Sequence, residues 1–139
     1  MTTSSITRST VRFLLFCLAT LPLLAQSPDP STLTGTWVGR LSSRNFESFP
    51  VTLIVSRTGK GRLRGAVNLI SRCLKEATLQ LTMDGQNVVF AGSDPDGDTV
   101  TLKGTLDSAG TALTLNYIVN GSASARCETD QGEGTLDKQ

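Results

Sequence analysis

From residue 33 onward the chain alternates. Leu33, Gly35, Trp37, Gly39 and Leu41 fall on one side of an extended backbone, with Thr34, Thr36, Val38 and Arg40 on the other. Successive side chains of a strand point to opposite faces, so this period marks a strand with one face turned inward. Val51, Leu53 and Val55 repeat it, and Leu63, Gly65, Val67 and Leu69 oppose Arg62, Arg64 and Asn68. The pattern is cleanest at Leu79, Leu81 and Met83, which stand against Thr78, Gln80 and Thr82. Val100, Leu102 and Leu106 follow, then Leu113, Leu115, Tyr117 and Val119. A short apolar run at 88–91 is too brief to phase. With the segment around Leu136, about eight strands are predicted, and 122–128 adds a ninth if it pairs after Asn120-Gly121. Beyond residue 25 no segment carries a helical period.

Turn signals separate these runs: Thr58-Gly59, Asp84-Gly85, Asp94-Pro95-Asp96-Gly97, Ser108-Ala109-Gly110 and Asn120-Gly121. Asn-Gly and Asp-Gly suit hairpins because both residues tolerate positive φ. Turns about every ten residues predict an all-β, antiparallel up-and-down meander closing into a small barrel or flattened sandwich. Gly-Thr pairs recur at Gly35-Thr36-Trp37, Gly104-Thr105-Leu106 and Gly134-Thr135-Leu136 at unequal intervals. They read as inward glycines at strand bends rather than as a structural repeat.

The first 25 residues have a different character. Arg8 and Arg12 precede an uncharged apolar stretch, and Leu21-Pro22-Leu23-Leu24-Ala25 offers a helix break and a small residue for cleavage. Residues 11–25 are fifteen in number, short of the roughly 20 that span a bilayer. A signal peptide over 1–25 is therefore expected, followed by an extended, mobile lead-in over 26–32 and one domain over 33–138. The chain is then exported, to the periplasm or the medium, with no membrane span in the mature form. Cys17 leaves with the leader, and Cys73 and Cys127 remain as an even pair in an oxidising compartment. A meander puts both at the same end of the barrel, so a Cys73–Cys127 bond ties a loop across the mouth. Closing an interval of roughly 50 residues restricts the unfolded chain by about 4 kcal/mol.

Composition narrows function more than it names it. Lys and Arg number 13, Asp and Glu 12, and histidine is absent. That balance argues against a polybasic nucleic-acid binder. Without histidine the commonest general base, zinc ligand and pH switch are gone. No serine has a base partner in the pattern, so the chain reads as a non-enzyme, and no cofactor is expected.

Three groups of residues carry what chemistry there is. Asp94, Asp96 and Asp98 around Gly97 present alternate carboxylates, as a weak calcium candidate or as a solvated hairpin turn. The early glycine and the absent distal Glu depart from the EF-hand pattern, which favours the turn. Arg62 and Arg64, in the basic stretch with Arg57 and Lys60, form either an anion or partner patch or a guard against edge pairing. Trp37 and Tyr117, the sole Trp and Tyr, either stack on a ligand or fill the core, and their Leu and Val companions favour the core. Asn120-Gly121-Ser122 matches a glycosylation sequon that an Asn-Gly turn explains equally well.

The opening Leu33-Thr34-Gly35-Thr36-Trp37-Val38-Gly39 resembles the first strand of small bacterial exported β-barrel domains of lipocalin-like or avidin-like shape. Three further elements occur in order: a cysteine after a Gly-containing strand (65–73), Gly104-Thr105-Leu106-Asp107 leading into Leu115-Asn116-Tyr117, and Cys127 followed by 130–136. That order is similar to a group of secreted or lipoprotein bacterial domains of unknown function, over 33–138. The resemblance implies a barrel, an envelope location and one disulfide, but no activity. Unlike the lipoprotein members, this chain places the bulky Phe16 before Cys17 and so lacks a lipidation site.

The expectation from sequence is a monomeric, non-enzymatic module binding an envelope component or a secreted protein through its surface. One alternative is a lipocalin-like carrier of a small apolar ligand. Another is an exported hydrolase inhibitor acting through its lead-in.

Overall fold

The structure is a computed structural model that describes residues 28–43, 48–69, 74, 76–122 and 127–139. Residues 1–25, with Cys17, and Cys73 lie outside the described residues, so the expected leader and disulfide have no structural description.

Eight strands follow in chain order: β1 (Gly35–Ser43), β2 (Phe49–Arg57), β3 (Leu63–Leu69), β4 (Ala77–Asp84), β5 (Asn87–Ser93), β6 (Thr99–Leu106), β7 (Ala112–Asn120) and β8 (Asp130–Lys138). Each pairs antiparallel with the next, and β8 returns to β1, closing the barrel. Burial follows the alternation in the sequence. Along β7, Leu113, Leu115, Tyr117 and Val119 are buried while the residues between them are exposed. An eight-stranded barrel has an interior just wide enough for side chains to fill. Here Trp37, Leu53, Leu79, Phe90, Leu102 and Leu115 fill it and are fully buried.

Close approach of β1 and β8 requires two of the inward glycines. A Cβ on Gly39 would sit 2.1 Å from the Thr135 carbonyl oxygen, and one on Gly134 would sit 2.2 Å from that of Arg40. The two strands therefore touch backbone to backbone at this bend. Leu136 and Leu41 lie over the glycines.

The ends of the barrel depart from the expected pattern in two places. Leu33 is buried, but it does not belong to β1. Pro30–Leu33 winds into a short 3-10 helix, where an extended lead-in was expected. Asp29 caps it by accepting from the Ser31 N–H at 2.8 Å, which holds that exposed carboxyl below its usual range. The buried Trp37 indole N–H donates to the Leu33 carbonyl at 2.8 Å and fixes the helix under the barrel. Lys138 closes the corner with its ammonium 5.6 Å from the Trp37 ring centre. At the other end, Asn120-Gly121 forms no tight hairpin. The chain leaves β7 there and regains a strand at Asp130, and the described part of this connection contains no ninth strand.

Topology sends the β1–β2, β3–β4, β5–β6 and β7–β8 connections to one end. Leu74 from β3–β4 and Cys127 from β7–β8 are both buried in the core cluster there. The opposite end carries the β2–β3, β4–β5 and β6–β7 turns and is covered by Leu33. Each end thus buries at least one apolar side chain against the core. Among the described residues no helix is long and apolar enough to cross a membrane.

Candidate functional site

Among the described residues a cleft opens in the barrel wall. Strand β3 pairs with β2 along its whole length, from Leu63 opposite Arg57 to Leu69 opposite Val51. Its ladder with β4 stops at Arg64 opposite Gln80, although β4 runs on to Asp84. Local chemistry explains the divergence. The β2–β3 turn completes its own hydrogen bonds, with the Thr58 N–H donating to Arg62 O and the Gly61 N–H to Thr58 O, both at 2.8 Å. Gly61 supplies the positive φ of 74° that this turn requires. Strand β4 meanwhile pairs with β5 as far as Asp84 opposite Asn87. Each hairpin is satisfied within itself, and the two part.

The parting leaves a cleft of about 840 Å³. Leu63, Leu79, Leu81 and Met83 line it, and all but Leu79 are only partly buried against the core. Lys60, Arg62 and Arg64 also line it, and none of the lining residues is acidic. Pro30 reaches it from the capping helix. The volume falls within the roughly 300–1,000 Å³ of small-molecule sites, which pair an apolar lining with a few placed polar groups. The structure thus brings Arg62 and Arg64 together with apolar residues that sequence reasoning had assigned wholly to the core. The signal for the cleft was the pair Leu81 and Met83, whose inward phase gave no hint that the neighbouring strand stops short of them.

The remaining sequence candidates lie elsewhere. Trp37 is fully buried at the capped end, bonded to Leu33. Tyr117 is 2% exposed near the opposite end, with its hydroxyl donating to Asp130 Oδ2 at 2.6 Å and its ring edge-on to Phe49. Burial, and after it the bond to Asp130, holds the Tyr117 hydroxyl well above its ordinary range. Asp130 Oδ1 is buried without a hydrogen-bond partner. Sequence reasoning did not single out Asp130, which sits in phase with the inner face opposite Val119. A shallower hollow of about 500 Å³ lies beside Tyr117 and is lined by Ser42, Ser43, Asn116 and Glu133 among others.

The aspartate turn is a buried knot rather than a solvated loop. Asp94 and Asp98 are 5% and 1% exposed. Asp94 Oδ1 accepts from the Asp96 and Asp98 N–H groups at 3.0 and 2.9 Å, and Asp98 Oδ1 from the Ser122 N–H at 2.8 Å. These carboxylates hold the β5–β6 turn together and bind it to the start of the β7–β8 connection. No group of three His, Cys, Asp or Glu among the described residues is arranged to hold a metal ion.

No family model matches this chain, and no curated protein matches it. In three dimensions it is similar to the solved structure of EF1p2_mFAP2b bound to DFHBI, with a TM-score of 0.59 and 13% identity over 78% of this chain and 95% of that one. At that identity the likeness is one of fold, a lipocalin-like eight-stranded barrel.

Proposed function

We propose that this protein is a non-enzymatic carrier that takes a small apolar ligand into the cleft between β3 and β4. The observation that supports the reading is the early end of the β3–β4 ladder, which leaves Leu63, Leu81 and Met83 half covered. Exposing such side chains to water without an occupant costs about 25 cal/mol for each Å² of apolar surface, and a bound ligand recovers that. A fold-mate bound to DFHBI is compatible with a carrier, since that barrel holds a small molecule. The geometry favours a small ligand over the surface-binding reading. Among the described residues, the large apolar side chains exposed elsewhere, Ile54 on β2 and Ile118 on β7, lie on strands separated by β1 and β8.

In the same proposal the chain is exported, its leader is removed, and Cys73 and Cys127 form a disulfide. The burial of Cys127, on a connection that leaves from the same end as the one carrying Cys73, supports that pairing. The inhibitor alternative loses ground because Pro30–Leu33 is wound and capped rather than held out for a partner.

Titration of the purified protein with dodecanol, followed by calorimetry and native mass spectrometry, tests the carrier reading. One alcohol is expected to bind per chain, and Met83→Trp, which fills the cleft, is expected to weaken binding about tenfold or more. No binding by the unaltered protein, or equal binding by a folded Met83→Trp variant, overturns it.

A further inference from the structure

The cleft also carries a charge signature that an apolar carrier does not need. Lys60, Arg62 and Arg64 all line it, with no carboxylate in the lining. None of the three forms an ion pair with a described residue. Three cations beside an apolar floor repel one another, and in a chain of nearly balanced charge that is an uneven placement. Guarding the free edges of β3 and β4 against strand addition accounts for charge at this place, but either sign serves that purpose. It does not account for a single sign bordering a concave apolar surface.

Resting on the carrier reading above, we infer that the ligand is an amphiphile with one anionic head. Its tail lies along Leu63, Leu81 and Met83, and its carboxylate or phosphate meets Arg62 and Arg64, with Lys60 alongside. Arginine suits such a head because its planar fork donates two parallel hydrogen bonds to an oxyanion. The ligand enters as a free single-chain molecule. The cleft is about 840 Å³, within the size of small-molecule sites, and the three cations are among the residues that line it.

Titration with dodecyl phosphate, dodecanoate and dodecanol, each below its micelle threshold, tests the head group. Both anions are expected to bind about tenfold tighter than the alcohol at low salt, and the preference is expected to shrink severalfold at about 0.5 M salt. The variant Arg62→Gln/Arg64→Gln is expected to erase the preference, so that its affinities for the two anions and for dodecanol fall within about twofold of one another. Equal affinity for all three ligands overturns the anionic head and leaves the carrier intact. Failure of all three to bind removes the carrier as well. Flotation with phosphatidylglycerol vesicles without binding of free dodecyl phosphate overturns the free ligand in favour of a lipid surface. Self-association of the double Gln variant with an unchanged anion preference reduces the arginines to edge guards and also overturns the inference.

Discussion

Raising the pH tests the barrel through a single hydroxyl. Tyr117 is the one tyrosine of the chain, so phenolate absorbance reports on it alone. Its ring is buried, and its hydroxyl donates to Asp130 Oδ2 at 2.6 Å. Ionising it in place sets a phenolate against a carboxylate in a partly buried setting. Desolvation and that bond therefore hold the folded-state value above the ordinary 10.0. The unfolded chain releases this proton near pH 10 while the native state keeps it. A raised native value means the contribution to stability is complete below about pH 10 and is lost as pH climbs toward the native value. The slope is at most about 1.4 kcal/mol per pH unit for one proton. The one unit between pH 10 and pH 11 thus removes at most about 1.4 kcal/mol, less where solvent reaches the hydroxyl, against the 5–15 kcal/mol typical of a domain. Urea unfolding at pH 8 and at about pH 11, compared with Tyr117→Phe, isolates the effect from other titrations. The unaltered protein is expected to lose stability relative to the variant over that interval. Phenolate absorbance rising with a midpoint near pH 10 while circular dichroism stays native would refute the reasoning.

Three further outcomes are expected. Trp37→Phe removes the donor to the buried Leu33 carbonyl, which is expected to cost about 1–3 kcal/mol in urea unfolding and to speed hydrogen exchange over Pro30–Leu33. Gly39→Ala drives a methyl into the Thr135 carbonyl and is expected to cost about 1–3 kcal/mol or more, whereas Gly59→Ala, with nothing within 4 Å, is expected to stay within about 0.5 kcal/mol. Asp98→Ala strips the Ser122 N–H of its acceptor and is expected to lower stability by about 1–3 kcal/mol, while added calcium leaves the melting temperature of the unaltered protein unchanged.

The barrel was legible because its strands are amphipathic with period two and its turns are locally coded. Gly85, Gly97 and Gly110, each placed in a turn by its sequence neighbours, all take positive φ. Strand identity followed from Leu79, Leu81 and Met83 standing against threonine and glutamine, which no helix phases in that way. Asn120-Gly121 misled, because a favourable dipeptide does not make a hairpin when the next strand begins only at Asp130. The fold of Pro30–Leu33 was invisible for another reason. Its stability comes from an indole in the following strand, a tertiary contact absent from the local pattern. The aspartate knot was misread similarly, since its burial depends on Ser122, far along the chain. As for the cleft, Arg62 and Arg64 were flagged by charge alone. Where the β3–β4 ladder stops is decided by two hairpins competing for twist and hydrogen bonds, a property of pairs of segments rather than of either one.

The seam between β1 and β8 sets the order in which this molecule comes into being. Trp37 lies opposite Leu53 on one flank and Lys138 on the other, so the first strand is completed by the last strand of the barrel. Without β8, β1 to β7 form at best a curled ribbon with two raw margins. Closure requires Asp130–Lys138, which pairs with β1 and β7 at once. Such margins present unpaired backbone groups on which strands of a neighbouring molecule can add. A truncation that removes β8 therefore does not trim the barrel but strands every molecule at that stage.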